Sequence, residues 1–322
     1  MRKKSNKANQ FFQLLLKILV VLAAVYFIVT KLTENEQLDF SFFLETLQKY
    51  KVFSAANISA LVLLSFINWF LEIKKWQKLT SDLRENSTRR AAKESLASFT
   101  AAIFTPSRIG EYGAKSLFYP KPQRKKILFL NFLGNMTQLF TTFLFGIFGL
   151  LYLLTQLDLR FSYLNFAVVL SLTLFPFVFY RIMKKLKWKI LGFSIEKLDR
   201  SFQNVSLEIR STTLVYAVLR YLIFTHQFYF LLLVFNVELP YFLVISAVFS
   251  TYFLASLIPT MIIFDAVIKG GFAVWVFGYL QVPELVILVI VLTVWILNFG
   301  IPAFAGSYFV LRYKPQKKPL IS

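Results

Sequence analysis

The sequence predicts an all-α, polytopic integral membrane protein, and three observations lead to that prediction. Of its 322 residues, 57% are hydrophobic and 16% are charged, whereas a soluble domain carries about a quarter charged residues. Long apolar runs alternate with polar connections along the chain, and the basic residues are concentrated in every second connection. This composition excludes a soluble enzyme. Because the chain has no Cys and a single His, disulfide frameworks, Cys-based metal sites and most His-based acid–base catalysis are also excluded.

The distribution of basic residues predicts the orientation of the protein in the membrane. Of the 36 Lys and Arg, 27 lie in five segments that fall on one side of the predicted spans. These segments are residues 1–10, 74–93, 121–126, 181–210 and 312–322. Connections rich in Lys and Arg remain in the cytoplasm, so the tails 1–10 and 312–322 are both expected there. The net charge of +20 therefore indicates orientation and contact with anionic lipids, and no nucleic acid partner is expected.

Residues 11–311 form a single predicted membrane domain with six full spans. Each span is long enough to cross a hydrocarbon core, which requires about 20 helical residues. The spans are Phe11 to Lys31, Ala55 to Trp76, Ile127 to Leu153, Leu164 to Tyr180, Thr213 to Phe235 and Leu285 to Leu311. The first is interpreted as an uncleaved span, because its apolar run is long and no clear small-residue cleavage site follows it.

Two further apolar stretches, about 95–119 and 241–281, are predicted to be broken or re-entrant helical hairpins. The predicted helix-breaking residues are Pro106, Gly110 and Gly113 in the first stretch and Pro259 in the second. Basic clusters flank the first stretch on both sides, so it must enter and leave on the cytoplasmic face. Its two arms of about ten residues would each reach about 15 Å, half of a core about 30 Å thick. The second stretch begins and ends on the opposite face, and its longer arms fit either a re-entrant hairpin or two nearly full spans.

The two broken stretches share a charge pattern. Glu111 precedes Lys115 by four residues, and Asp265 precedes Lys269 by the same spacing. Each stretch follows a full span, and the two spans run in opposite directions. We therefore predict an inverted repeat of residues about 54–181 and 213–311, in which paired discontinuous helices mark the substrate site. The alternative is that two short patterns recur by chance.

Ionisable residues inside apolar stretches are predicted to surround a polar cavity, because each costs about 2.5 to 3.5 kcal/mol at membrane depth. The residues expected to bind a phosphate group there are Arg108, Lys115, Arg220 and Lys269. Backbone N–H groups freed at the breaks would assist them, and Glu111 and Asp265 would tune the cations. The alternative is that each acid and the Lys four residues later only neutralise one another.

Two polar helix faces are candidates for the cavity wall. Asn68 and Glu72 share a face with Lys75 and Trp76, which are interpreted as anchors at the headgroup level. The second face carries Asn131, Asn135 and Gln138 at helical spacing. It fits either a substrate path or hydrogen bonds between helices.

Two regions outside the spans carry further predictions. In the basic connection 181–212, Leu191, Ile195, Leu198 and Phe202 recur at helical spacing and predict an interfacial helix. His226, alone in its span, is interpreted as a structural hydrogen-bonding residue.

The segment FTPSRIGEYGAK, Phe104 to Lys115, resembles the flippase-like membrane domain family of lysylphosphatidylglycerol synthases, the membrane part of the multiple peptide resistance factor proteins. An N-W-x-x-E-x-x-K-W stretch at Asn68 to Trp76 adds to the likeness, which covers nearly the whole chain. The late segment from Pro259 to Gly271 departs from the family, because no Gly lies between Pro259 and Asp265. The resemblance implies a multi-pass protein of the bacterial inner membrane. With no soluble catalytic domain before Ser322, we expect lipid movement without aminoacyl transfer.

The expected function is a lipid flippase or scramblase, a transporter rather than an enzyme, that moves an anionic, aminoacylated or polyprenyl-phosphate lipid between leaflets. Membrane lipids are the expected partners, together with a second copy of the chain or a lipid-synthesising enzyme, and no cofactor, metal or catalytic residue is expected. One alternative is a membrane glycosyltransferase that uses a polyprenyl-linked donor, with Glu34, Glu36 and Asp39 of the outer loop binding metal or acting as base. Another is a structural partner of a lipid-modifying enzyme.

Overall fold

The computed structural model describes residues 54–103, 105, 108–157, 189–190, 193–258 and 260–312, with the single positions 48, 181 and 185. This part of the chain is helical apart from one pair of two-residue strands. Four helices are long and apolar enough to cross a membrane: Ala55–Leu79, Lys121–Gln156, Leu207–Val234 and Glu284–Leu311. They coincide with four of the six predicted spans. The spans 11–31 and 164–180, the tail 1–10 and residues 313–322 lie outside the described residues.

The first half of the described chain contains four helices. They are α1 (Ala55–Leu79), α2 (Thr88–Ala102), α3 (Ile109–Leu117) and α4 (Arg124–Gln156), with a 3-10 turn at Lys121–Gln123 that extends α4 backwards. Ser54 and Ser87 cap α1 and α2, and each side chain accepts a hydrogen bond from the backbone N–H three residues later. Such caps satisfy an N–H group that the helix itself leaves unpaired.

The second half begins with the strands Lys189–Ile190 and Phe193–Ser194, which pair antiparallel. The helices that follow are α5 (Ile195–Gln203), α6 (Leu207–Val234), α7 (Tyr241–Ser256), α8 (Asp265–Gly278), α9 (Glu284–Trp295) and α10 (Ile301–Leu311). A π-helical segment, Ile296–Gly300, joins α9 to α10. The last two helices therefore form one continuous span.

The predicted interfacial helix corresponds to α5, but it is shorter than its sequence pattern indicates. Residues 189–190 and 193–194 are extended, and Leu191 lies outside the described residues. Leu198 packs against a buried cluster that includes Trp76 and Ile209, whereas Phe202 is exposed. Only part of the predicted stripe is therefore free to contact a membrane surface.

Both broken stretches contain two helices that pack against each other. The first consists of α2 and α3, separated by residues 103–108, and the second of α7 and α8, separated by residues 257–264. Pro106 and Pro259 lie in these separations but outside the described residues. The arms α7 and α8 have 16 and 14 residues, about 24 and 21 Å at 1.5 Å per residue. Each arm is therefore shorter than a hydrocarbon core of about 30 Å.

The predicted role of two glycines as helix breakers is wrong. Gly110 and Gly113 both lie inside α3. A Cβ on Gly110 would clash with the carbonyl oxygen of Ala101 on α2, so this glycine allows the two arms to approach closely. Nothing lies within 4 Å of a Cβ on Gly113. The break itself precedes Ile109.

Among the described residues, the most extensive contacts between the two halves are those of α1 with α6, α2 with α10, and α4 with α7. Glycines lie at two of these crossings. A Cβ on Gly306 of α10 would clash with the backbone of Leu96 on α2, and a Cβ on Gly146 or Gly149 of α4 would clash with α7. Small residues at helix crossings let backbones approach closely in membrane proteins, where van der Waals packing drives association.

The outer surface of the long helices is apolar. Phe66 on α1, Phe148 on α4 and Phe304 on α10 are 67%, 64% and 83% exposed. Large exposed side chains of this kind are compatible with lipid as the surrounding solvent, and with the four long apolar helices they describe a membrane-embedded protein.

Candidate functional site

A cavity of about 240 Å³ lies among the two helical hairpins and the four long helices. The charged residues of its wall are Glu72, Arg108, Glu111, Arg220, Asp265 and Lys269. Aromatic residues lie among them, namely Trp69, Phe99, Phe224, Phe228, Tyr252, Trp295 and Phe299. Both hairpins thus contribute charges to one cavity.

The cavity lies at the middle of the bundle. Its wall includes one polar residue from each of the four long helices, namely Asn68, Gln138, Arg220 and Asn298. Each of these residues lies within one residue of the midpoint of its helix. Because the helices are long enough to cross a membrane, their midpoints correspond to mid-depth in a bilayer.

Glu72 on α1 binds two cations. Arg220 of α6 donates to Glu72 Oε2, and Lys75 Nζ lies 2.7 Å from the same oxygen. Arg220 also donates to Asn68 Oδ1 at 3.1 Å and to Gln138 Oε1 at 3.3 Å, which ties α1, α4 and α6 together. The interpretation of Lys75 as an anchor at the headgroup level is wrong, because its side chain is buried. Glu72, three residues earlier, supplies the counterion that permits this burial.

Glu111 on α3 also binds two cations. Arg108 Nη2 lies 2.8 Å from Glu111 Oε2, and Lys115 Nζ donates to Glu111 Oε1 at 2.9 Å. Lys115 further donates to Asn131 Oδ1 at 2.8 Å and lies 4.1 Å from the ring centroid of Trp76. These three partners hold the ammonium of Lys115 behind the cavity wall.

Arg108 directs its side chain towards the cavity from a strained backbone. It precedes the first residue of α3 with φ 59° and ψ 26°, the left-handed region, and no side chain caps the helix there. A residue with a Cβ adopts this conformation at a cost of about 1 to 3 kcal/mol, and such strain clusters at functional sites.

Asp265 and Lys269 form the charged part of the second hairpin. They begin α8, and Lys269 Nζ lies 2.7 Å from Asp265 Oδ2. The ammonium also lies 4.7 Å from the ring centroid of Phe299 and 5.1 Å from that of Tyr252. Cation–π contacts of this kind stabilise a desolvated ammonium without neutralising it.

Asn298 was not predicted from the sequence, yet it joins three helices. Its Oδ1 accepts from Asn68 Nδ2 at 2.7 Å, and its Nδ2 donates to Gln227 Oε1 at 2.7 Å. The backbone carbonyl of Asn298, in the π-helical segment, accepts from Trp69 Nε1 at 3.0 Å. A lone Asn in a span of Leu, Ile and Val is the signal that could have identified it, because an amide in hydrocarbon requires partners.

Several predicted site residues do not line the cavity. Lys115 and Asn131 bind each other behind the wall, and Asn135 donates to the hydroxyl of Tyr112 at 3.2 Å. Of the polar face on α4, Gln138 alone lines the cavity, so the other two amides serve contacts between helices.

Trp76 and His226 lie away from the cavity wall. Trp76 is buried, which contradicts its interpretation as an interfacial anchor, and its Nε1 donates to the buried carboxylate of Glu94 at 2.8 Å. His226 contacts the carbonyl of Leu222 and the hydroxyl of Tyr241, each at 2.7 Å. Both side chains are thus held by structural hydrogen bonds.

Among the described residues, no group of three or more His, Asp and Glu could hold a metal ion. Glu34, Glu36 and Asp39, the acids of the glycosyltransferase alternative, lie outside those residues. What the cavity offers is a set of hydrogen-bond donors and cations for an anionic group. No protein-family model, curated protein or solved structure matches the chain.

Proposed function

We propose that this protein is a lipid flippase or scramblase, which moves a lipid with an anionic headgroup between the two leaflets of a bacterial inner membrane. The observation that carries the proposal is the charged cavity at the midpoints of the long helices. An ionisable residue at that depth is a functional-site hypothesis by default, because it is costly unless it faces a cavity or a partner. Here three cations and three carboxylates meet around one cavity.

The size of the cavity favours a headgroup over a whole lipid. Its volume of about 240 Å³ is just below the range of about 300 to 1,000 Å³ that small-molecule pockets span. A phosphate group with a short substituent fits this space, whereas two acyl chains do not. In the proposed mechanism the headgroup moves through the cavity while the chains stay in the hydrocarbon of the bilayer.

The pairing of helices supports an inverted repeat of the two halves. In both halves a long helix is followed by a hairpin and then by a second long helix. In the first hairpin α2 packs on the long helix that follows the second hairpin, and in the second hairpin α7 packs on the long helix that follows the first. A two-fold axis relating the halves would produce this exchange. Inverted repeats of this kind permit alternating access to a site at mid-depth.

The orientation proposed from the basic clusters places both termini in the cytoplasm. In this orientation the first hairpin enters from the cytoplasmic side and the second from the outside. The resemblance to the flippase-like domain of lysylphosphatidylglycerol synthases agrees with this arrangement. Aminoacylated and polyprenyl-phosphate lipids are further candidate substrates.

A leaflet-exchange assay tests the proposal. The protein is reconstituted in liposomes with a fluorescent anionic lipid, and an external reductant reports the fraction of label in the outer leaflet over time. The variant Arg108→Gln removes a cation that lines the cavity but leaves Glu111 paired with Lys115. Arg90→Gln is its matched control, because Arg90 also pairs with a buried carboxylate, Glu94, which keeps a second arginine.

Under the proposal, wild-type protein and Arg90→Gln accelerate exchange, and Arg108→Gln slows it about tenfold or more, the effect of one lost charge-assisted hydrogen bond. Equal acceleration by the two variants would leave transport standing but would show that Arg108 is not part of the transport site. If wild-type protein accelerated exchange of none of the anionic, aminoacylated or polyprenyl-phosphate lipids, the transport proposal would be wrong.

A further inference from the structure

We infer that the cavity selects a dianionic phosphate group, such as a phosphate monoester or a diphosphate at the end of a lipid, over the single charge of a phosphodiester. This inference rests on the proposed function and specifies the headgroup that the same site takes. Its evidence is the charge balance of the groups in and around the cavity, two donors on its wall that lack partners among the described residues and the exposure of its lining cations.

The charged groups at the centre of the described structure do not neutralise each other. The three carboxylates are Glu72, Glu111 and Asp265. The cations in contact with them are Lys75, Arg108, Lys115, Arg220 and Lys269. Five cations against three carboxylates leave a formal net charge of +2. An excess of this size at the middle of a membrane-spanning bundle is costly without counterions, and one dianion compensates it.

Two hydrogen-bond donors on the cavity wall have no partner among the described residues. Ser95 is buried and lines the cavity, yet its hydroxyl makes no hydrogen bond there, and the Arg108 Nε is also without an acceptor. Buried polar groups normally have partners, and each exception requires an explanation. A phosphate with three terminal oxygens supplies acceptors for both donors and for Lys269.

The cations that line the cavity are more exposed than the two that lie behind its wall. The side chains of Arg108, Arg220 and Lys269 are 40%, 16% and 18% exposed, whereas those of Lys75 and Lys115 are each 3% exposed. Each lining cation comes from a different element: Arg108 from the break that precedes α3, Arg220 from α6 and Lys269 from α8. Contact from three sides suits the tetrahedral end of a monoester better than a diester, in which two of the four oxygens carry substituents.

Native mass spectrometry of lipid binding tests this inference. The protein is taken from phosphatidylcholine vesicles that carry equal minor fractions of phosphatidic acid, a monoester, and phosphatidylglycerol, a diester. The measurement is made at about pH 8, above the second pKa of about 6 of a phosphate monoester in water, which favours the dianion. The readout is the ratio of protein bound to phosphatidic acid to protein bound to phosphatidylglycerol. Inorganic phosphate is added in a separate arm as a soluble competitor.

The expected ratio for the wild-type protein is about tenfold in favour of the monoester, the contribution of about one extra charge-assisted contact. Lys269→Gln lowers the formal charge of this group of cations and carboxylates to +1 and should bring the ratio close to one. Lys269→Gln with Asp265→Asn restores +2 and should restore the preference. Lys121→Gln removes one exposed cation away from the cavity and should leave the ratio unchanged.

Equal binding of the two lipids by wild-type protein would overturn the inference, while transport of a singly charged lipid in the leaflet-exchange assay would still stand. A preference that survives Lys269→Gln unchanged would also overturn it. Displacement of phosphatidic acid by inorganic phosphate alone would support the dianion but assign it to a soluble ligand. Failure of phosphate to compete would support the lipid source.

Discussion

The substitution Glu72→Gln tests whether the charged centre is built as described. The change keeps the size of the side chain but removes the negative charge that Lys75 and Arg220 share. Lys75 then remains buried without its carboxylate. Among the described residues, Arg220 keeps only the amide oxygens of Asn68 and Gln138. Breaking a buried ion pair by removing one partner costs about 3 to 5 kcal/mol. We expect a loss of stability of that size.

The expected change in unfolding temperature follows from the size of the chain. At about 2.1 cal/mol/K per residue, 322 residues give an unfolding entropy of about 0.7 kcal/mol/K. A loss of 3 to 5 kcal/mol therefore lowers the unfolding temperature by about 4 to 7 °C, measured by tryptophan fluorescence in detergent. The matched control is Glu208→Gln, which breaks an ion pair with Lys78 at a side chain that is 77% exposed, and it should leave the temperature unchanged.

Two further results test the ion pairs of Glu72. If Lys75→Met is added to Glu72→Gln, one of the two orphaned cations is removed and part of the lost stability should return. If Glu72→Gln unfolds at the wild-type temperature, the carboxylate and its cations are solvated, and the buried centre described above is wrong.

Four further substitutions test the packing and the buried polar contacts of the helices. Gly306→Ala places a Cβ against the backbone of Leu96 and should lower the yield of monodisperse protein in size-exclusion chromatography. Gly113→Ala places its Cβ in open space and should stabilise α3 by up to about 1 kcal/mol in thermal unfolding. Glu94→Gln replaces a fully buried carboxylate bound by two arginines, a tryptophan and a tyrosine, and should lower the unfolding temperature as much as Glu72→Gln does. Asn298→Leu leaves the Nδ2 of Asn68 and the Oε1 of Gln227 without their partner and should cost about 1 to 3 kcal/mol, measured by denaturant titration in detergent; a change below the error of that titration would contradict the network.

The long helices and the local ion pairs were predictable from the sequence because both depend on neighbouring residues. A span requires about 20 apolar residues in succession, and this signal located four helices within a few residues of their ends. The spacing of Glu111 to Lys115 and of Asp265 to Lys269 predicts the two ion pairs, because residues four apart are neighbours on a helix. The breaks were predictable from the prolines, which interrupt a helix through their missing N–H.

Contacts between distant segments were not predictable in the same way. Glu72 and Arg220 are 148 residues apart, and Asn68 and Asn298 are 230 residues apart. No local pattern in the sequence indicates that Glu72, rather than Glu111 or Asp265, is the partner of Arg220, because that pairing depends on the packing of α1 on α6. Lys75 resembles an interfacial anchor because Lys and Trp near a helix end usually are anchors, and its burial depends on that same packing.

The central claim is that a wet, charged cavity lies at mid-depth in the bundle, and thiol labelling in native membranes tests it most directly. The chain contains no Cys, so the labelling of a single introduced cysteine can be measured without a contribution from native thiols. Ser256→Cys places a thiol on the cavity wall at the broken end of α7. Phe66→Cys, one residue from the midpoint of α1, places one on the apolar outer face. A membrane-impermeant, charged thiol reagent should modify the first and leave the second unmodified, whereas a Ser256→Cys thiol that reacts only after denaturation would contradict the account.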